Sequence, residues 1–310
     1  MIRVTIVGAG HYARSIAARK YAECPGCSLV GVISPRATAE RLHGTPLAGL
    51  PLVRNAVEWL ELHGPPGEGD VFDLCVHPDA ILPAMRPLVG IGAVAFVLPK
   101  PPATTRAELD AILGFVRSGG LRVAVASQWH FSRVTAALRN AVAGLAAPLR
   151  VDANFSQSFS PEQLRFYTPY TALLPHMLQI LHTAGLWQPR AADHISRHDS
   201  PTQLLAEIST AGPAAHIALM TNLVAPERTR RFTVTDAAGR RVDADFLGVF
   251  HDGVAAKYPA VEIDGHREEI VEDNIAVMVR QEIAGFLDGA SYLDLDGYLP
   301  VNEMLLTLRG

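Results

Sequence analysis

Residues 3–13 read RVTIVGAGHYA, a β-branched run followed directly by a glycine-rich turn and a helical pattern. This is the G-x-G-x-x-G/A motif in the context that it requires, after a strand and before a helix. Gly8 permits a tight turn, Gly10 lets the backbone approach a pyrophosphate, and Ala13 lets the helix pack near the strand. The phosphates would then meet free N–H groups at the positive end of the helix. The stretch predicts a dinucleotide site, against the alternative of a glycine pair in a chance turn.

The first third of the chain continues with the same alternation of strand and helix patterns. Short β-branched runs alternate with amphipathic segments long enough to be crossovers, which is typical of a parallel sheet with helices on both faces. The predicted strands are 3–7, 28–33, 72–76, 93–98 and 122–126, and the predicted helices are 13–23, 55–63 and 106–118. We therefore predict an α/β fold that opens with a doubly wound, dinucleotide-binding Rossmann domain over residues 1–126.

The pattern changes from about Ser127. The elements predicted first are a helix over 133–144, a strand over 149–159 and a helix over 171–184. Alternating runs then follow at 192–198, 204–210, 215–222, 230–236 and 241–250, the last two joined as a hairpin. Two closing helices, 273–287 and 298–308, would cover part of the sheet that these runs form. We predict an α+β domain over 127–310, with a large, mostly antiparallel sheet that binds substrate and leaves one face for contact in a homodimer or higher homo-oligomer.

The composition is that of an ordinary globular protein of 310 residues, with 49% apolar residues, 19% charged residues and a net charge of -4. That length is enough for two domains with their own cores. No basic stripe is present, which argues against nucleic acid or an anionic membrane as the main partner. No apolar stretch approaches the roughly 20 residues that span a bilayer, and the N-terminus lacks a signal-peptide pattern. We expect a cytoplasmic protein that acts on a small molecule.

The three cysteines, Cys24, Cys27 and Cys75, are too few for a disulfide framework and suit a reducing compartment. Cys24 and Cys27 form a CxxC sequence. A redox or zinc site would need a helix N-terminus after the first cysteine or a second pair of ligands, and the sequence shows neither. We interpret this segment as a turn and predict no metal site.

The end of the second predicted strand bears on the choice of nucleotide. An NAD-selective fold usually places a carboxylate there, against the ribose 2'-hydroxyl. Here Ser34 removes the charge that would repel a 2'-phosphate, and Arg36 offers a planar donor fork, with Thr38 or Arg41 as further donors. The pattern favours NADP over NAD. The alternative is that Arg36 and Arg41 are only solvated charges at a helix start.

Two further marks follow in order, DLCVHP at residues 73–78 and LPKP at residues 98–101. Together with the glycine loop, this order resembles the family of glucose-fructose oxidoreductase, inositol dehydrogenase and rhizopine catabolism protein (Gfo/Idh/MocA), over nearly the whole chain. In that family the strand ends in Glu-Lys-Pro, and its lysine lies beside the nicotinamide and the substrate oxygen. Lys100 matches that lysine, and Pro99 replaces the glutamate. A cationic amine there would stabilise developing negative charge or relay a proton. The alternative is an exposed loop charge.

The resemblance extends to a second catalytic segment, which in the family has the form DxGxHxxD on a helix. His176 matches the histidine, while Ala172 and Gln179 replace the two aspartates. A histidine is suited to exchanging a proton near neutral pH, but Gln179 offers it only a neutral hydrogen bond. The alternative is a hydrogen-bonded histidine on an apolar helix.

The predicted site residues fall into three groups. The predicted catalytic residues are Lys100 and His176. The predicted cofactor-binding residues are Gly8, Gly10, His11, Tyr12, Ala13, Ser34, Arg36, His77, Pro78, Lys100 and Trp129. The predicted substrate-pocket residues are His130, Tyr167, Tyr170 and Gln179. Trp129 and His130 could equally pack a domain junction, and the two tyrosines could equally be packing residues.

These residues predict hydride transfer between NADPH and a small carbonyl, hydroxyl or imine carbon, with Lys100 polarising the heteroatom and His176 exchanging its proton. The loss of both aspartates disfavours alcohol oxidation, which benefits from a strong base, and favours reduction of a ketone or imine, as in a specialised biosynthetic pathway. One alternative is a catalytically degenerate NADP-binding regulatory or structural protein, since Pro99, Ala172 and Gln179 all depart from the family pattern. Another is redox chemistry at Cys24 and Cys27.

Overall fold

The computed structural model describes residues 1–189, 193–251, 254–289 and 292–310. The chain divides into two compact units, Met1–Gln128 with Ile275–Tyr298, and Trp129–Asn274 with Leu299–Gly310. The first boundary thus falls close to the predicted one, whereas residues 275–298 group with the first unit and not with the second domain to which the prediction assigned them. Within the described ranges, no helix combines the length and the apolar character that crossing a membrane requires.

The first unit is built on a six-stranded parallel sheet. Its strands are β1 (Ile2–Val7), β2 (Cys27–Ile33), β3 (Leu52–Val53), β4 (Asp70–Leu74), β5 (Ala95–Leu98) and β6 (Arg122–Val125). They lie in the order β3-β2-β1-β4-β5-β6, so the direction in which strands are added reverses between β1 and β4. Every residue of β4 and β5 is buried, as expected of strands with helices on both faces. The predicted doubly wound α/β domain is confirmed.

The helices of this sheet begin in different ways, and two of them start at a side-chain cap. They are α1 (Ala18–Ala22), which continues a π-helical turn at Ala13–Ala17, α2 (Ala39–Leu42), α3 (Ala56–His63), α4 (Ile81–Gly90) and α5 (Arg106–Ser118). At the start of α5, Thr105 accepts a hydrogen bond from the N–H of Glu108, and the Glu108 side chain accepts one from the N–H of Thr105. This capping box fixes the first turn of α5 at the predicted residue.

The second unit contains an eight-stranded sheet in the order β16-β15-β12-β11-β7-β10-β9-β8. Its strands are β7 (Leu149–Ser158), β8 (His194–Asp199), β9 (Gln203–Ser209), β10 (Ala214–Asn222), β11 (Val224–Thr235), β12 (Arg241–Asp245), β15 (Ala260–Ile263) and β16 (His266–Glu269). β13 (Val249–His251) and β14 (Val254–Lys257) form a separate two-stranded antiparallel sheet. Only the β7–β10 pair is parallel among the pairings described. Exposed and buried residues alternate strictly along β9. The predicted mostly antiparallel sheet, buried on one face, is confirmed.

Helices α6 (Arg133–Val142), α7 (Pro169–Ala172) and α8 (Leu174–Thr183) belong to the same unit. α6 packs against β12 and β15, and α8 packs against β7. The first turn of α6 is held by the carboxylate of Glu272, which accepts hydrogen bonds from the hydroxyl of Ser132 and from the N–H of Arg133. A carboxylate at this end of a helix also opposes the positive end of its dipole.

Helix α9 (Asn274–Asp288) and the residues after it complete the first unit. The guanidinium of Arg122 donates to the carbonyl of Phe286 at 3.2 Å, and the N–H of Val125 donates to the carbonyl of Leu293 at 2.8 Å. A bridge between Ala124 and Asp294 continues this contact. Because β6 is an edge strand, these bonds satisfy backbone groups that would otherwise face solvent. The final helix, α10 (Leu295–Arg309), follows directly.

Most predicted elements differ from the structure by one to three residues at their ends, and some differ by more. The strand predicted over 230–236 begins six residues earlier, as β11 (Val224–Thr235). The strand predicted over 241–250 ends at Asp245, and the two-stranded sheet of β13 and β14 follows it. The helix predicted over 171–184 is divided into α7 and α8 at Leu173, two residues before Pro175, whose ring is tolerated only in the first turn of a helix. The run predicted over 192–198 begins at Ala192, which lies outside the described residues.

Candidate active site

The glycine loop after β1 has the geometry that a nucleotide cradle needs. Gly8 has a φ of 96°, and a Cβ built on it would lie 2.6 Å from the carbonyl oxygen of Cys75, so only glycine fits. A Cβ built on Gly10 would have no protein atom within 4 Å, so the backbone there faces open space. Ala13 is fully buried where the helix packs. The loop therefore leaves room for a diphosphate against its own backbone, which fits a dinucleotide.

The loop after β4 lies beside the glycine loop, as the contact of Gly8 with Cys75 shows. His77 is exposed and its Nδ1 lies 2.9 Å from the carboxylate of Asp79, while Pro78 is buried at the start of a short 3₁₀ turn. Both loops leave the carboxyl ends of β1 and β4, where the strand order reverses. Open α/β sheets bind their ligands at this point.

The other predicted residues of the glycine loop are accessible to a ligand. His11 is exposed, with its Nδ1 3.4 Å from the hydroxyl of Ser15. Tyr12 is 36% exposed. Side chains at the first turn of this helix would therefore border any nucleotide that the loop holds.

The loop after β2 presents the predicted 2'-phosphate residues. Ser34 is buried, with its N–H donating to the carbonyl of Val53 at 2.9 Å, and Arg36 is exposed. Among the described residues no carboxylate pairs with Arg36. Glu40 lies in α2, which follows this loop, and a hydrogen bond from Thr38 lowers the pKa of its carboxyl. The strand end itself carries no acidic residue, as the sequence indicated.

Lys100 follows β5, whose neighbour in the sheet is β4. Because all strands of this sheet are parallel, the end of β5 lies on the same edge as the loops after β1 and β4. Lys100 is partly exposed, and Pro101 and Pro102 behind it are buried. A cationic amine is thus presented at the ligand-binding edge of the sheet, on a segment that prolines hold in place.

His176 lies in the first turn of α8 in the second unit and is 6% exposed. Its ring makes an edge-to-face contact with Trp129, with centroids 6.2 Å apart. Gln179, one turn further on, is fully buried and donates to the hydroxyl of Thr183 at 2.8 Å. The Gln179 amide is therefore occupied along the helix in this structure.

Trp129 belongs to an aromatic cluster on the inner face of the second sheet. Its indole is 1% exposed and lies edge-to-face on Phe246, with centroids 5.1 Å apart. Phe246 in turn contacts Phe155 and Phe232. The structure thus places Trp129 and His176 together, within the unit predicted to bind substrate.

The remaining predicted pocket residues are mostly engaged in local contacts. The Tyr170 hydroxyl donates to Asp199 at 3.1 Å, and the Tyr167 ring packs on Phe159. His130 packs edge-to-face on Phe131, and burial lowers the pKa of its imidazole, with the charges of His182 and Arg139 acting in the same direction. For the tyrosines, these contacts fit the packing alternative as well as they fit a pocket.

A buried acidic pair in the first unit was not among the predicted residues. Asp73 of β4 is 5% exposed and Glu282 of α9 is 1% exposed. Burial raises the pKa of Asp73 to about 6, against hydrogen bonds from Tyr21 and Cys75 that lower it. Burial also raises the pKa of Glu282 well above its usual range, and the charge of Asp73 raises it further. Their approach depends on the return of residues 275–298 to the first unit, for which the sequence carries no local signal.

Cys24 and Cys27 form no disulfide. Burial raises the pKa of the Cys27 thiol to about 12, and the pKa of Cys24 is also raised by burial. Since the thiolate is the reactive form, both cysteines are poorly suited to redox chemistry. Within the described ranges no cluster of His, Cys, Asp or Glu could hold a metal ion.

No protein-family model and no curated protein sequence matches the chain. Solved structures do. UDP-N-acetylglucosamine 3-dehydrogenase GnnA from Acidithiobacillus ferrooxidans is similar with a TM-score of 0.75 and 19% identity, over 99% of this chain and 96% of that one. KijD10, a 3-ketoreductase from Actinomadura kijaniata solved with TDP-benzene and NADP, has a TM-score of 0.74 and 17% identity, over 99% and 96%. A putative myo-inositol dehydrogenase from Sinorhizobium meliloti has a TM-score of 0.71 and 14% identity, over 99% and 95%.

The fold is that of a dinucleotide-binding α/β domain joined to a large, mostly antiparallel sheet, and the similar structures are named as dehydrogenases and a ketoreductase. More particularly, it is the fold of the Gfo/Idh/MocA oxidoreductases. The resemblance stated from the sequence is thereby confirmed at the level of the fold.

Proposed function

We propose that the protein is an NADP-dependent oxidoreductase that transfers a hydride between the nicotinamide and a small carbonyl, hydroxyl or imine substrate. The observation that carries the proposal is the cradle at the reversal point of the first sheet. There Gly8 admits no side chain, Gly10 faces open space, and Lys100 is presented on the same edge. NADP, when bound, supplies the hydride chemistry itself, and the protein supplies binding, orientation and charge.

Each site residue then has a defined part. The backbone of the glycine loop binds the diphosphate, and Arg36 binds the 2'-phosphate, next to a strand end that carries no carboxylate. The Lys100 ammonium stabilises negative charge that develops on the substrate heteroatom. His176 donates the proton that this heteroatom gains, or accepts it in reverse.

Reduction is the favoured direction. His176 has no aspartate at position 172 or 179 to raise its basicity, because Ala172 and Gln179 occupy those places. The conjugate acid of a weak base readily protonates the oxygen or nitrogen of the reduced substrate, whereas a weak base deprotonates an alcohol poorly. The similar ketoreductase solved with NADP is consistent with this direction and with this nucleotide. The three free cysteines suit a cytoplasmic location.

The test is NADPH oxidation, followed by absorbance, against a panel of small ketones and imines. Lys100→Met and His176→Ala are each expected to lower kcat by about a hundredfold or more while NADPH still binds. Two controls should retain full activity: Lys20→Met, which removes a lysine of α1 that is paired with Glu23, and His266→Ala, at an exposed position of β16. Full activity in both of the first two variants would refute the assigned roles.

A catalytically degenerate NADP-binding protein is the second candidate, because Pro99, Ala172 and Gln179 all depart from the family's catalytic pattern. It predicts that NADPH raises the melting temperature but is oxidised by no member of the panel. Turnover of any substrate that is lost in Lys100→Met rules this candidate out.

A further inference from the structure

The inner face of the second sheet ends in basic residues. Along β11, Val234 and Phe232 are fully buried, and Arg230 continues the same row two residues earlier. In the antiparallel register Arg230 lies opposite Phe155 of β7. The face that begins as an apolar core therefore carries a guanidinium at its end, and Arg228 lies close enough for its charge to act on Arg230.

The Arg230 guanidinium is held in place by aromatic rings. Its central carbon lies 5.9 Å from the ring centroid of Trp129 and 5.7 Å from that of Phe155. Nη2 lies 3.4 Å from the side-chain oxygen of Gln157, and Nε is buried without a hydrogen-bond partner in the described part of the chain. Aromatic faces orient a guanidinium but do not neutralise it.

No described carboxylate forms an ion pair with Arg228 or Arg230, unlike Arg150 and Arg241 of the outer face. There, Arg150 lies 3.0 Å from Asp152, and this pairing raises the pKa of Arg150. Burial instead lowers the pKa of Arg230 to about 9, and the charge of Arg228 lowers it further. The Arg230 guanidinium, whose Nε is buried, loses hydration without gaining a counter-ion, so an incoming anion would stabilise it beside the like charge of Arg228.

The site adjoins the proposed proton donor. The Trp129 indole contacts the His176 ring as well as the Arg230 guanidinium, so both groups flank one side chain. Arg230 is partly exposed and Arg228 is exposed, so a ligand can reach them. A molecule that extends from His176 past the Trp129 indole would therefore bring a substituent to the arginines.

We infer that Arg230, with Arg228 and Gln157, binds an oxyanion group of the substrate, a carboxylate or a phosphate, while the carbon to be reduced lies beside His176. The planar fork of an arginine matches either oxyanion with paired hydrogen bonds. The substrate is thus an anionic carbonyl or imine compound. The inference rests on the proposed function, since only that function places a reacting carbon at His176.

The experiment measures anion binding directly, by titration calorimetry with malonate and with pyrophosphate. Wild-type protein is expected to bind at least one of them, and Arg230→Gln is expected to weaken that binding about tenfold or more. Arg228→Gln, at an exposed position, should weaken binding of the same anion. Arg150→Gln, on the outer face, should leave that binding unchanged. The anion whose binding the arginine variants weaken identifies the anionic group of the substrate, a carboxylate if it is malonate or a phosphate if it is pyrophosphate.

Two results overturn the inference: neither anion binds the wild-type protein, or Arg228→Gln binds both as tightly as wild type does. NADP binding is measured on the same samples, because the glycine loop belongs to the other unit. If NADP binds normally but the arginine variants change nothing, the anion site fails and the proposed function stands. If NADP does not bind and the arginine variants still lose malonate or pyrophosphate, the proposed function fails and the anion site remains.

Discussion

Gly8 and Gly10 belong to one turn but are required for different reasons. Gly8 is required by the protein itself, because its φ of 96° and the 2.6 Å approach to the carbonyl of Cys75 leave no room for a side chain. Gly10 meets no such limit within the chain. The sequence motif predicted both positions, since the spacing of the glycines and the flanking strand and helix are local properties.

This difference gives a prediction for two alanine variants. Gly8→Ala is expected to lower the free energy of unfolding by about 2 kcal/mol or more, through strain and the clash with Cys75. Gly10→Ala should unfold at the wild-type temperature but bind NADP far more weakly, because its methyl group occupies the space of the diphosphate. Thermal melts with and without NADP separate the two effects. A Gly10→Ala variant with normal NADP binding would contradict the dinucleotide site.

The second residue-scale prediction concerns the nucleotide preference. Arg36→Ala should weaken NADP binding about tenfold or more, through loss of a charge-assisted contact with the 2'-phosphate, and leave NAD binding unchanged. Ser34→Asp should weaken NADP and strengthen NAD, because a carboxylate repels the phosphate and binds a ribose hydroxyl. Both are measured by titration with each nucleotide. Equal loss of NAD and NADP in Arg36→Ala would show that the arginine does not read the phosphate.

Among elements, those with a complete local signal were predicted closely and the others were not. The bounds of α5 were predicted to the residue, because its capping box and its buried face are both visible in the sequence. β3 has two residues and so no periodicity to detect, and α4 contains Pro87 in its interior, a residue type that disfavours a helix there. Arg230 shows the same limit at the site. Its proposed role in binding an anion depends on its contact with Trp129, which is distant in the sequence.

Helix α9 carries a prediction about pH. Because the pKa of Asp73 is raised from 3.8 to about 6 and that of Glu282 is raised above its usual range, the folded state binds these protons more tightly than the unfolded state does. The stability that they contribute is therefore complete at low pH and is lost as the pH rises through the folded-state values. Glu282→Gln keeps the shape of the protonated side chain but cannot ionise.

We expect Glu282→Gln to melt like wild type near about pH 4, below the ordinary pKa of a glutamate, and at a higher temperature than wild type near about pH 8.5. The measurement is the melting temperature of both proteins across this range. Glu268→Gln, on an exposed strand, is the control and should follow the wild-type curve. Parallel curves for Glu282→Gln and wild type would mean that the buried acid does not govern the pH dependence.

At the scale of the whole molecule, the outer face of the second sheet is the expected contact between two copies of the chain. Leu205 of β9 and Met220 of β10 are paired in register and are 47% and 37% exposed. Adjacent exposed apolar side chains on a sheet face are typical of a covered surface. We propose a homodimer through this face, which predicts a dimer by light scattering at micromolar concentration.

The double variant Leu205→Lys, Met220→Lys should be monomeric. Its melting temperature should fall only by the amount that dimer formation contributes to the wild-type value. Val57→Lys replaces an apolar residue that is 59% exposed on α3 and serves as the control, which should remain dimeric. A molar mass of one chain for the wild-type protein, measured by light scattering, would contradict the proposed dimer.

The bonds from Val125 to Leu293 and from Arg122 to Phe286 have a consequence for biosynthesis. The chain leaves the ribosome N-terminus first, so the six strands of the first sheet emerge long before the segment that hydrogen-bonds to β6. Until residue 293 has left the exit tunnel, a nascent polypeptide carries a bare strand edge that can join another chain. We expect prematurely terminated products that stop before α9 to aggregate, and the cell's chaperones to engage the nascent chain until α9 and the residues up to 293 have emerged.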